Sequence, residues 1–243
     1  YGALGAAGPT YWPGARQGAF SGVDAAGRFL LFGGSGYTDS TAAYLADLWR
    51  FDGSNWAWVG GSNSTTGGVS GSCPNGYPGA RAYGASWVDN SGTFWIFGGN
   101  GYDCLGHAPT ALSDLWKWNG SSFTHVSGTT DSSNSADVHA VYPNVIGARI
   151  FASSAYDSVH GVFWLFGGNG CDDTFCGSTF NELWKFDGAT WSFVKGNQGG
   201  VAFNTQGVEA GAGVFAAGNT PSARVGAFMW AAQNGNLWLF GGS

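Results

Sequence analysis

A Phe-Gly-Gly triplet that occurs four times is the feature that most constrains the fold of this chain. Its copies lie 65, 69 and 74 residues apart and begin at Phe32, Phe97, Phe166 and Phe240. Each copy ends a run of large apolar residues, and in the first three repeats Asp or Glu followed by Leu-Trp comes after a connecting segment. Recurrence over this length indicates that one supersecondary unit is built several times along the chain.

Each repeat contains four short segments with the character of β-strands. The first follows a proline and an Ala-Arg pair, and a turn rich in Asp, Asn and Gly leads to the second. The second consists of four consecutive large apolar residues, which predicts a strand covered on both faces. The third carries the acidic–Leu–Trp pattern, the fourth opens on an aromatic residue, and no stretch keeps a helical period. The sequence therefore predicts an all-β chain with repeats at 13–59, 78–126, 143–194 and 221–243, the last having only its first two strands.

This pattern resembles the kelch repeat, which is the four-stranded antiparallel blade of a β-propeller. The resemblance is carried by the double glycines, by the acidic residue before Leu-Trp, and by the aromatic residue that opens the last strand, Trp56, Phe123 or Trp191. The long, glycine-rich repeats are similar to those of extracellular kelch proteins of the galactose-oxidase-like superfamily. The resemblance implies that residues 1–243 form a single propeller segment of about three and a half blades.

Propellers close with roughly four to eight blades, so three and a half blades do not make a ring. We therefore expect both termini to lie inside a repeat and the chain to be part of a larger propeller. The alternative is that a neighbouring subunit supplies the missing strands. The chain begins at Tyr1 without a signal-peptide pattern, which indicates either that a leader has been removed or that this is an internal piece.

Composition and charge argue against several classes of protein. With 243 residues, 44% of them apolar and only 10% charged, the chain can bury a sizeable core. The net charge is −6, and the nine basic residues are spread over the repeats and do not form the dense patch that nucleic-acid binding requires. No apolar run reaches the roughly 18 residues of a membrane-spanning helix. We therefore expect a globular protein with no nucleic-acid partner and no membrane span.

Successive connections of an antiparallel sheet emerge at alternate ends, so the long connections of all repeats share one end. We call this end the long-loop face, and its connections include residues 34–46, 60–77, 99–113, 126–142 and 195–220, together with the loop that contains Cys171 and Cys176. The opposite end has only tight turns, and we call it the turn face. Because loops on a rigid scaffold commonly carry binding residues, the long-loop face is the predicted working surface.

All four cysteines fall on the long-loop face. We predict disulfides Cys171–Cys176 and Cys73–Cys104, one of three possible connectivities, and hence an oxidising, extracellular location. The alternative is a metal site, but a pair of cysteines separated by four residues plus scattered histidines does not provide tetrahedral ligand spacing. Two Asn-x-Ser/Thr triplets fit an extracellular location and predict glycosylation at Asn63 and Asn119 in a eukaryotic secreted chain.

Aromatic residues are common on or next to the long-loop face. Exposed rings beside polar loop residues suit stacking on a carbohydrate or anchoring of a protein partner. The competing interpretation is that these rings pack over neighbouring loops. The candidate binding residues are Tyr11, Trp12, Tyr37, Tyr44, Tyr77, Tyr102 and Phe175.

Residues that could carry catalysis do not converge on one point. A side chain that recurs in every repeat is needed to build the repeat, so the arginine after alanine and the tryptophan of Leu-Trp are interpreted as structural. The four histidines occupy different parts of the repeat, namely His107, His125, His139 and His160. The glycine-rich runs are not followed by a helix, which argues against nucleotide binding. We predict no catalytic residue and no cofactor.

A bound metal ion is not predicted either. Asp103, Asp172 and Asp173 in the long loops lack the alternating spacing of a calcium-binding loop, and we expect them to be solvated. The copper-radical oxidases of the resembled superfamily use a tyrosine beside a histidine and a cysteine-linked tyrosine. No Tyr-His pair occurs in this chain, and the cysteines are assigned to disulfides.

These observations together favour a binding or structural role. We expect a secreted or cell-surface kelch propeller that acts as a module of an extracellular assembly, with a protein, a carbohydrate or other copies or blades of the same assembly as partner. The alternative is part of a galactose-oxidase-like copper-radical oxidase whose active residues lie outside this segment.

Overall fold

The computed structural model describes residues 3–37, 42–62, 76–103, 105–107, 109–132, 143–171, 176–197 and 206–243. Every regular element in these ranges is a β-strand, which confirms the predicted all-β fold. The strands form several small antiparallel sheets. Among the described residues there is no helix with the length and apolar character to span a bilayer.

Each of three sheets contains four strands of one repeat, which are neighbours in the order in which they occur along the chain. A fourth sheet contains only the first two strands of its repeat. Sheet 1 contains β3 (Phe20–Val23), β4 (Phe29–Phe32), β7 (Ala46–Phe51) and β8 (Trp56–Ser62), with β1 (Ala7–Gly8) outside β8. Sheet 2 contains β10 (Ala85–Val88), β11 (Phe94–Phe97), β14 (Leu115–Trp118) and β15 (Phe123–Ser127). Sheet 3 contains β17 (Ser153–Asp157), β18 (Val162–Phe166), β21 (Leu183–Phe186) and β22 (Trp191–Lys195). Sheet 4 contains β23 (Phe228–Ala231) and β24 (Leu237–Phe240).

In each of three smaller sheets, two strands that follow a double glycine pair with a short strand that begins at the repeated arginine. The first contains β2 (Arg16–Gln17), β5 (Ser35–Tyr37) and β6 (Ala42–Tyr44). The second contains β9 (Arg81–Ala82), β12 (Asn100–Gly101) and β13 (Thr110–Ala111). The third contains β16 (Arg149–Ile150), β19 (Asn169–Cys171) and β20 (Cys176–Thr179).

The first hairpin of each large sheet has the same register, so equivalent positions can be compared directly. The first residue of the first strand pairs with the phenylalanine of the Phe-Gly-Gly triplet in all four sheets. These pairs are Phe20–Phe32, Ala85–Phe97, Ser153–Phe166 and Phe228–Phe240. The hairpin turns are the predicted ones, as when the Gly27 N–H donates to the Asp24 carbonyl oxygen at 2.9 Å.

Sheets 1, 2 and 3 pack face to face in succession, and each of these two contacts buries a separate apolar core. The face of sheet 1 that carries Phe20, Leu30 and Phe32 packs against Phe94 and Ile96 of sheet 2. We call the face of sheet 1 that carries Phe20 its leading face, and the face of sheet 2 that carries Phe94 its trailing face. The equivalent faces of the other sheets have the same names. Because side chains alternate along a strand, sheet 2 then presents its other face to sheet 3.

The second core is built in the same way. Trp87, Trp95 and Phe97 on the leading face of sheet 2 pack against Phe163 and Leu165 on the trailing face of sheet 3. The rings of Trp87 and Phe163 are stacked with centroids 3.8 Å apart. Burial on both faces explains why the second strand of each repeat is a continuous apolar run.

The repeats also meet at the start of their first strands through backbone hydrogen bonds. The Tyr83 N–H donates to the Gly18 carbonyl oxygen at 2.8 Å, and the Phe151 N–H donates to the Tyr83 carbonyl oxygen at 2.8 Å. The Gly226 N–H continues the series with a bond to Phe151 at 2.9 Å. These three hydrogen bonds therefore link the residues at the same position of four successive repeats.

The double glycine lets consecutive repeats approach each other closely. Gly98 has a φ of 62°, and a Cβ added there would lie 2.8 Å from the Arg149 carbonyl oxygen of the next repeat. Its neighbour Gly99 donates its N–H to that same oxygen at 2.9 Å. A side chain at this position would collide with backbone that cannot move without opening the contact between repeats.

We therefore expect Gly98→Ala to destabilise the protein far more than a matched glycine substitution. Gly120 also has a positive φ, of 101°, but a Cβ there would meet nothing within 4 Å. Gly120→Ala should cost only the strain of the left-handed conformation, about 1–2 kcal/mol, and Gly98→Ala at least twice as much. Denaturant unfolding of both variants measures the difference. Equal losses would contradict the close approach.

Candidate functional site

Each complete repeat contains a buried unit of one arginine, one acidic residue and one tryptophan. In repeat 1, Arg16 donates to both carboxylate oxygens of Asp47 at 2.7 and 2.9 Å. The indole Nε1 of Trp49 donates to the same carboxylate at 2.6 Å. The paired geometry is the strong, bidentate form of an arginine–carboxylate contact.

The equivalent arginine of repeat 2 joins its own repeat to the preceding one. Its side chain donates to Asp114 at 2.5 and 2.8 Å, and Trp116 Nε1 donates to that carboxylate at 2.6 Å. The main chain of Arg81 pairs with the first repeat, since its N–H donates to Leu45 at 3.1 Å and its carbonyl oxygen accepts from Gly34 at 2.8 Å. Arg81 is completely buried.

Repeat 3 has the same unit with glutamate in place of aspartate. Arg149 donates to Glu182, and Trp184 Nε1 donates to Glu182 at 2.9 Å. The Arg149 guanidinium also lies over the ring of Phe180, 4.0 Å from its centroid. The prediction that these arginines and tryptophans are structural is confirmed by their burial and by these ion pairs. They are not available for chemistry at the surface.

The most unusual backbone in the described residues lies at two aromatic residues. Tyr83 and Phe151 have φ values of 65° and 55°, where bulky residues are rare, and their rings lie 4.6 Å apart. The equivalent residues of repeats 1 and 4 are Gly18 and Gly226, which adopt the same conformation. Strain of this kind costs about 1–3 kcal/mol and is concentrated at binding and catalytic sites.

Two tyrosines of the long-loop face lie beside this pair. The rings of Tyr44 and Tyr102 meet edge to face with centroids 6.4 Å apart. Burial raises the pKa of the Tyr44 phenol, and the nearby Tyr83 phenol raises it further, whereas a hydrogen bond with the Asn100 side chain lowers it. The Tyr44 hydroxyl therefore stays protonated at neutral pH. We call Tyr44, Tyr83, Tyr102 and Phe151 the aromatic cluster.

Among the described residues, no ring contact joins the other predicted binding residues to the aromatic cluster. Trp12 and Tyr37 are exposed, at 64% and 63% of their surface. Tyr11 lies over Gly8, where an added Cβ would be 3.3 Å from its ring. Tyr77 packs into the core between sheets 1 and 2. Phe175 lies outside the described residues.

Sequence reasoning missed Tyr83 and Phe151, although a signal for both was present. Each stands two residues after the repeated arginine, where repeats 1 and 4 have Gly18 and Gly226. An aromatic residue at a position that otherwise takes glycine breaks the repeat pattern. Such a departure indicates a local role in this part of the chain.

A second group of polar residues lies in two connections of repeat 2, the one between β12 and β13 and the one after β15. Asp103 is fully buried, so the expectation that it is solvated is wrong. Its carboxylate accepts from the N–H groups of Leu105 at 2.9 Å and His107 at 3.0 Å, and from the N–H and hydroxyl of Ser132 at 2.7 and 2.9 Å. Burial would raise the pKa of Asp103, but the hydrogen bonds from Ser132 and His107 outweigh it and lower the pKa to about 2.

The same two connections place three groups of the kind that bind metal ions near one another. Ligand atoms of Asp103, His107 and Asp131 lie within 4.8 Å of each other. His107 Nδ1 is 2.6 Å from Asp103 and 3.4 Å from Asp131. Because Asp103 already accepts several hydrogen bonds, a metal ion would have to displace them. The arrangement is that of a hydrogen-bonded junction between two loops.

The structure describes only some of the residues for which we predicted disulfides or glycosylation. The predicted Cys171–Cys176 disulfide is confirmed, with the two Cα atoms 4.0 Å apart. Cys73 and Cys104 lie outside the described residues, so their pairing stays a prediction, and Asn63 lies outside them as well. Asn119 is at an exposed turn, where its side-chain oxygen accepts from the Ser121 and Ser122 N–H groups. His139, Asp172 and Asp173 also fall outside the described residues.

The turn face has a groove that the sequence did not predict. It has a volume of about 270 Å³ and lies between sheets 2 and 3. Trp87 and Trp95 form its apolar floor, and Asp89, Tyr156 and Asp187 line its polar side. The tryptophans are almost fully buried, so the groove offers little ring surface to a ligand.

No model of a known protein family matches this chain, and no curated protein matches it. Its function must therefore be inferred from its own residues.

We expect Asp114→Asn to be strongly destabilising, because it leaves the buried Arg81 guanidinium without a counter-charge. Loss of one partner from a buried pair costs about 3–5 kcal/mol. Asp24→Asn is the matched control, since Asp24 pairs with the partly exposed Arg28 and an exposed pair contributes about 1 kcal/mol or less. Urea unfolding of both variants tests this. Similar losses for the two would refute the structural importance of the buried unit.

The junction at Asp103 predicts an unusual titration of His107. Its hydrogen bond with Asp103 raises the pKa of His107 above the ordinary 6.5. The stabilisation that this bond contributes is thus fully present below pH 6.5 and is lost as the pH rises through the pKa of the folded state. NMR titration of the imidazole should show a pKa above 6.5. In Asp103→Asn it should return toward 6.5, and in Asp131→Asn it should fall less. A native pKa at or below 6.5 would contradict the contact.

Proposed function

We propose that sheets 1 to 4 are successive blades of a kelch-type β-propeller segment. Five features support this proposal. Sheets 1 to 3 share one strand order, all four sheets share one hairpin register, and the leading faces of sheets 1 and 2 pack on the trailing faces of sheets 2 and 3. The first strands of neighbouring sheets lie side by side, as in a radial arrangement. The four residues that are linked by backbone hydrogen bonds all have a positive φ, namely Gly18, Tyr83, Phe151 and Gly226.

We further propose that the protein is an extracellular binding module that recognises carbohydrate through the aromatic cluster. The single observation that carries this proposal is the strained Tyr83–Phe151 pair at a position where glycine serves the fold in two other repeats. Rings that are not required for the fold, held in a costly conformation, are best explained by a ligand that contacts them. Phe151 keeps 41% of its surface exposed.

The chemistry of the cluster suits a sugar. The aromatic faces of Phe151 and Tyr83 can cover the apolar side of a pyranose ring, while phenol hydroxyls supply hydrogen bonds to its hydroxyl groups. The Asn100 side chain, already bonded to Tyr44, adds an amide at the same place. The Cys171–Cys176 disulfide agrees with secretion into an oxidising compartment.

A protein partner is the second candidate, and the exposed Trp12 and Tyr37 favour it. Large aromatic side chains at the surface are typical anchors of protein interfaces. A copper-radical oxidase is the weaker alternative. Among the described residues, Cys171 and Cys176 are joined to each other and His107 is bonded to Asp103, so these two cysteines and this histidine already have partners within the protein.

We expect Tyr83→Gly to weaken carbohydrate binding without unfolding the protein. Glycine already occupies the equivalent position in repeats 1 and 4 with the same φ, so the substitution relieves strain and removes only the ring. Loss of one stacked ring should weaken binding about tenfold, which corresponds to roughly 1.4 kcal/mol. Glycan-array screening followed by calorimetry on the best ligand measures this effect.

The control is Val159→Ser on the turn face, where Val159 is exposed and lies beyond the end of β17 that is opposite to Phe151. It should leave binding unchanged. If Tyr83→Gly binds the selected glycan as well as the native protein, the aromatic cluster is not the site. If no glycan binds and a protein is captured through Trp12 and Tyr37 instead, the carbohydrate proposal fails.

A further inference from the structure

A second groove opens on the turn face, between sheets 1 and 2. It has a volume of about 190 Å³, and Leu30 and Trp118 form its apolar floor. Arg28, Arg50 and Asn119 line its polar side. We call it the basic groove. It has room for several water molecules, and therefore for a ligand group that is larger than a single small ion.

The groove between sheets 2 and 3 occupies the equivalent place and has the opposite charge. Its lining contains the two carboxylates of Asp89 and Asp187 and, among the described residues, no guanidinium or ammonium group. The lining of the basic groove contains two guanidinium groups and one carboxylate, that of Asp24, which gives a net charge of +1. Asn119 stands where the other groove has Asp187. The positive charge is therefore a property of this one groove and not of the repeat.

Asp24 holds the side chain of Arg28 in place and leaves part of its guanidinium group free. Nε and Nη2 of Arg28 both lie 2.8 Å from Oδ2 of Asp24. Oδ1 of Asp24 accepts from the N–H groups of Ala26 at 3.0 Å and Arg28 at 2.9 Å. Nη1 of Arg28 has no partner among the described residues, and 40% of the side-chain surface is exposed. A donor that is already held in position loses less conformational freedom when a ligand binds.

The second arginine of the groove has a free side chain. Arg50 forms neither a hydrogen bond nor an ion pair through its guanidinium group within the part of the chain that the structure describes. The nearby carboxylate of Asp52 accepts two backbone N–H groups of its own turn. In repeat 2 the equivalent residue, Lys117, lies over the ring of Trp95, 5.6 Å from its centroid. Repeat 1 has Leu30 in place of that ring, so Arg50 has no aromatic partner there.

The free polar side-chain groups of the basic groove are all hydrogen-bond donors. The side-chain oxygen of Asn119 accepts two N–H groups of its own turn, both at 2.9 Å, which leaves its amide nitrogen to donate. The guanidinium groups of Arg28 and Arg50 can only donate. A carboxylate satisfies such a set, because a guanidinium group binds it through two parallel hydrogen bonds.

We propose that the basic groove binds one acidic sugar residue through its carboxylate. Arg50 and the free nitrogen of Arg28 would hold the carboxylate, and the amide of Asn119 would donate to a sugar hydroxyl. A hydroxyl can accept this bond, whereas the backbone N–H groups of an acidic peptide require acceptors. The groove lies on the turn face and the aromatic cluster on the long-loop face, so this proposal does not rest on carbohydrate binding by the cluster.

The test uses the 243-residue chain produced in bacteria, because a glycan on Asn119 would cover the groove. Methyl glucuronide is titrated while NMR follows the side-chain N–H signals of the arginines, and methyl glucoside is the neutral control. We expect the signals of Arg28 and Arg50 to shift and to saturate at one glucuronide per chain. Methyl glucoside should shift neither signal. An increase in ionic strength of about tenfold should weaken binding, because salt screens exposed charges.

Variants of the chain locate the site. Arg50→Gln should weaken glucuronide binding about tenfold, because it removes a charge-assisted, bidentate contact. Asn119→Asp should also weaken it by adding a negative charge, and its fold should be intact because Asp187 makes the same turn contacts in repeat 3. Lys117→Gln is the matched control, since it removes the equivalent charge beside the other groove, and it should bind normally.

Several results would overturn the proposal. One is that methyl glucuronide shifts neither arginine signal, and another is that Arg50→Gln binds it as tightly as the native chain does. Equal affinity for inorganic sulfate would show that the sugar ring makes no contact, and tighter binding of N-acetylglutamate would identify an acidic peptide as the ligand. Tyr83→Gly should bind methyl glucuronide normally, and a loss of binding in this variant would place the sugar at the aromatic cluster instead. The two proposals therefore fail separately.

Discussion

The contact on which the structure depends is the buried arginine that belongs to two repeats at once. The side chain of Arg81 binds Asp114 of its own repeat, while its main chain pairs with Leu45 and Gly34 of the repeat before it. A buried charge of this kind tolerates no loss of its partner, so the sheets on both sides are held in one relative position. The adjoining double glycine is required because it alone permits that approach.

This constraint explains why so much of the polar chemistry of the chain is unavailable for function. The acidic residue of each unit also accepts from a tryptophan indole, so guanidinium, carboxylate and indole satisfy one another within the core. The remaining charged residues lie mainly in turns, where Asp24 and Asp89 accept backbone N–H groups of their own turns. Functional side chains must therefore come from the positions at which the repeats differ.

The aromatic cluster is such a position. Tyr83 and Phe151 add rings to a backbone that the repeat has already shaped for glycine, so the scaffold holds them rigidly. Comparison of repeats within one molecule supplies the reference that this inference requires.

Much of the architecture follows from the sequence because it is local or periodic. The Phe-Gly-Gly triplets, the apolar runs and the hairpin turns determine strand order, repeat bounds and the burial of both faces, and the short spacing of Cys171 and Cys176 made their disulfide predictable. Only the tertiary structure decided that Asp103 is buried, that the rings of Tyr44 and Tyr102 meet, and that the rings of Tyr83 and Phe151 lie in contact. Those outcomes depend on contacts between residues far apart in the chain, and no pattern of neighbouring residues encodes the distances between them.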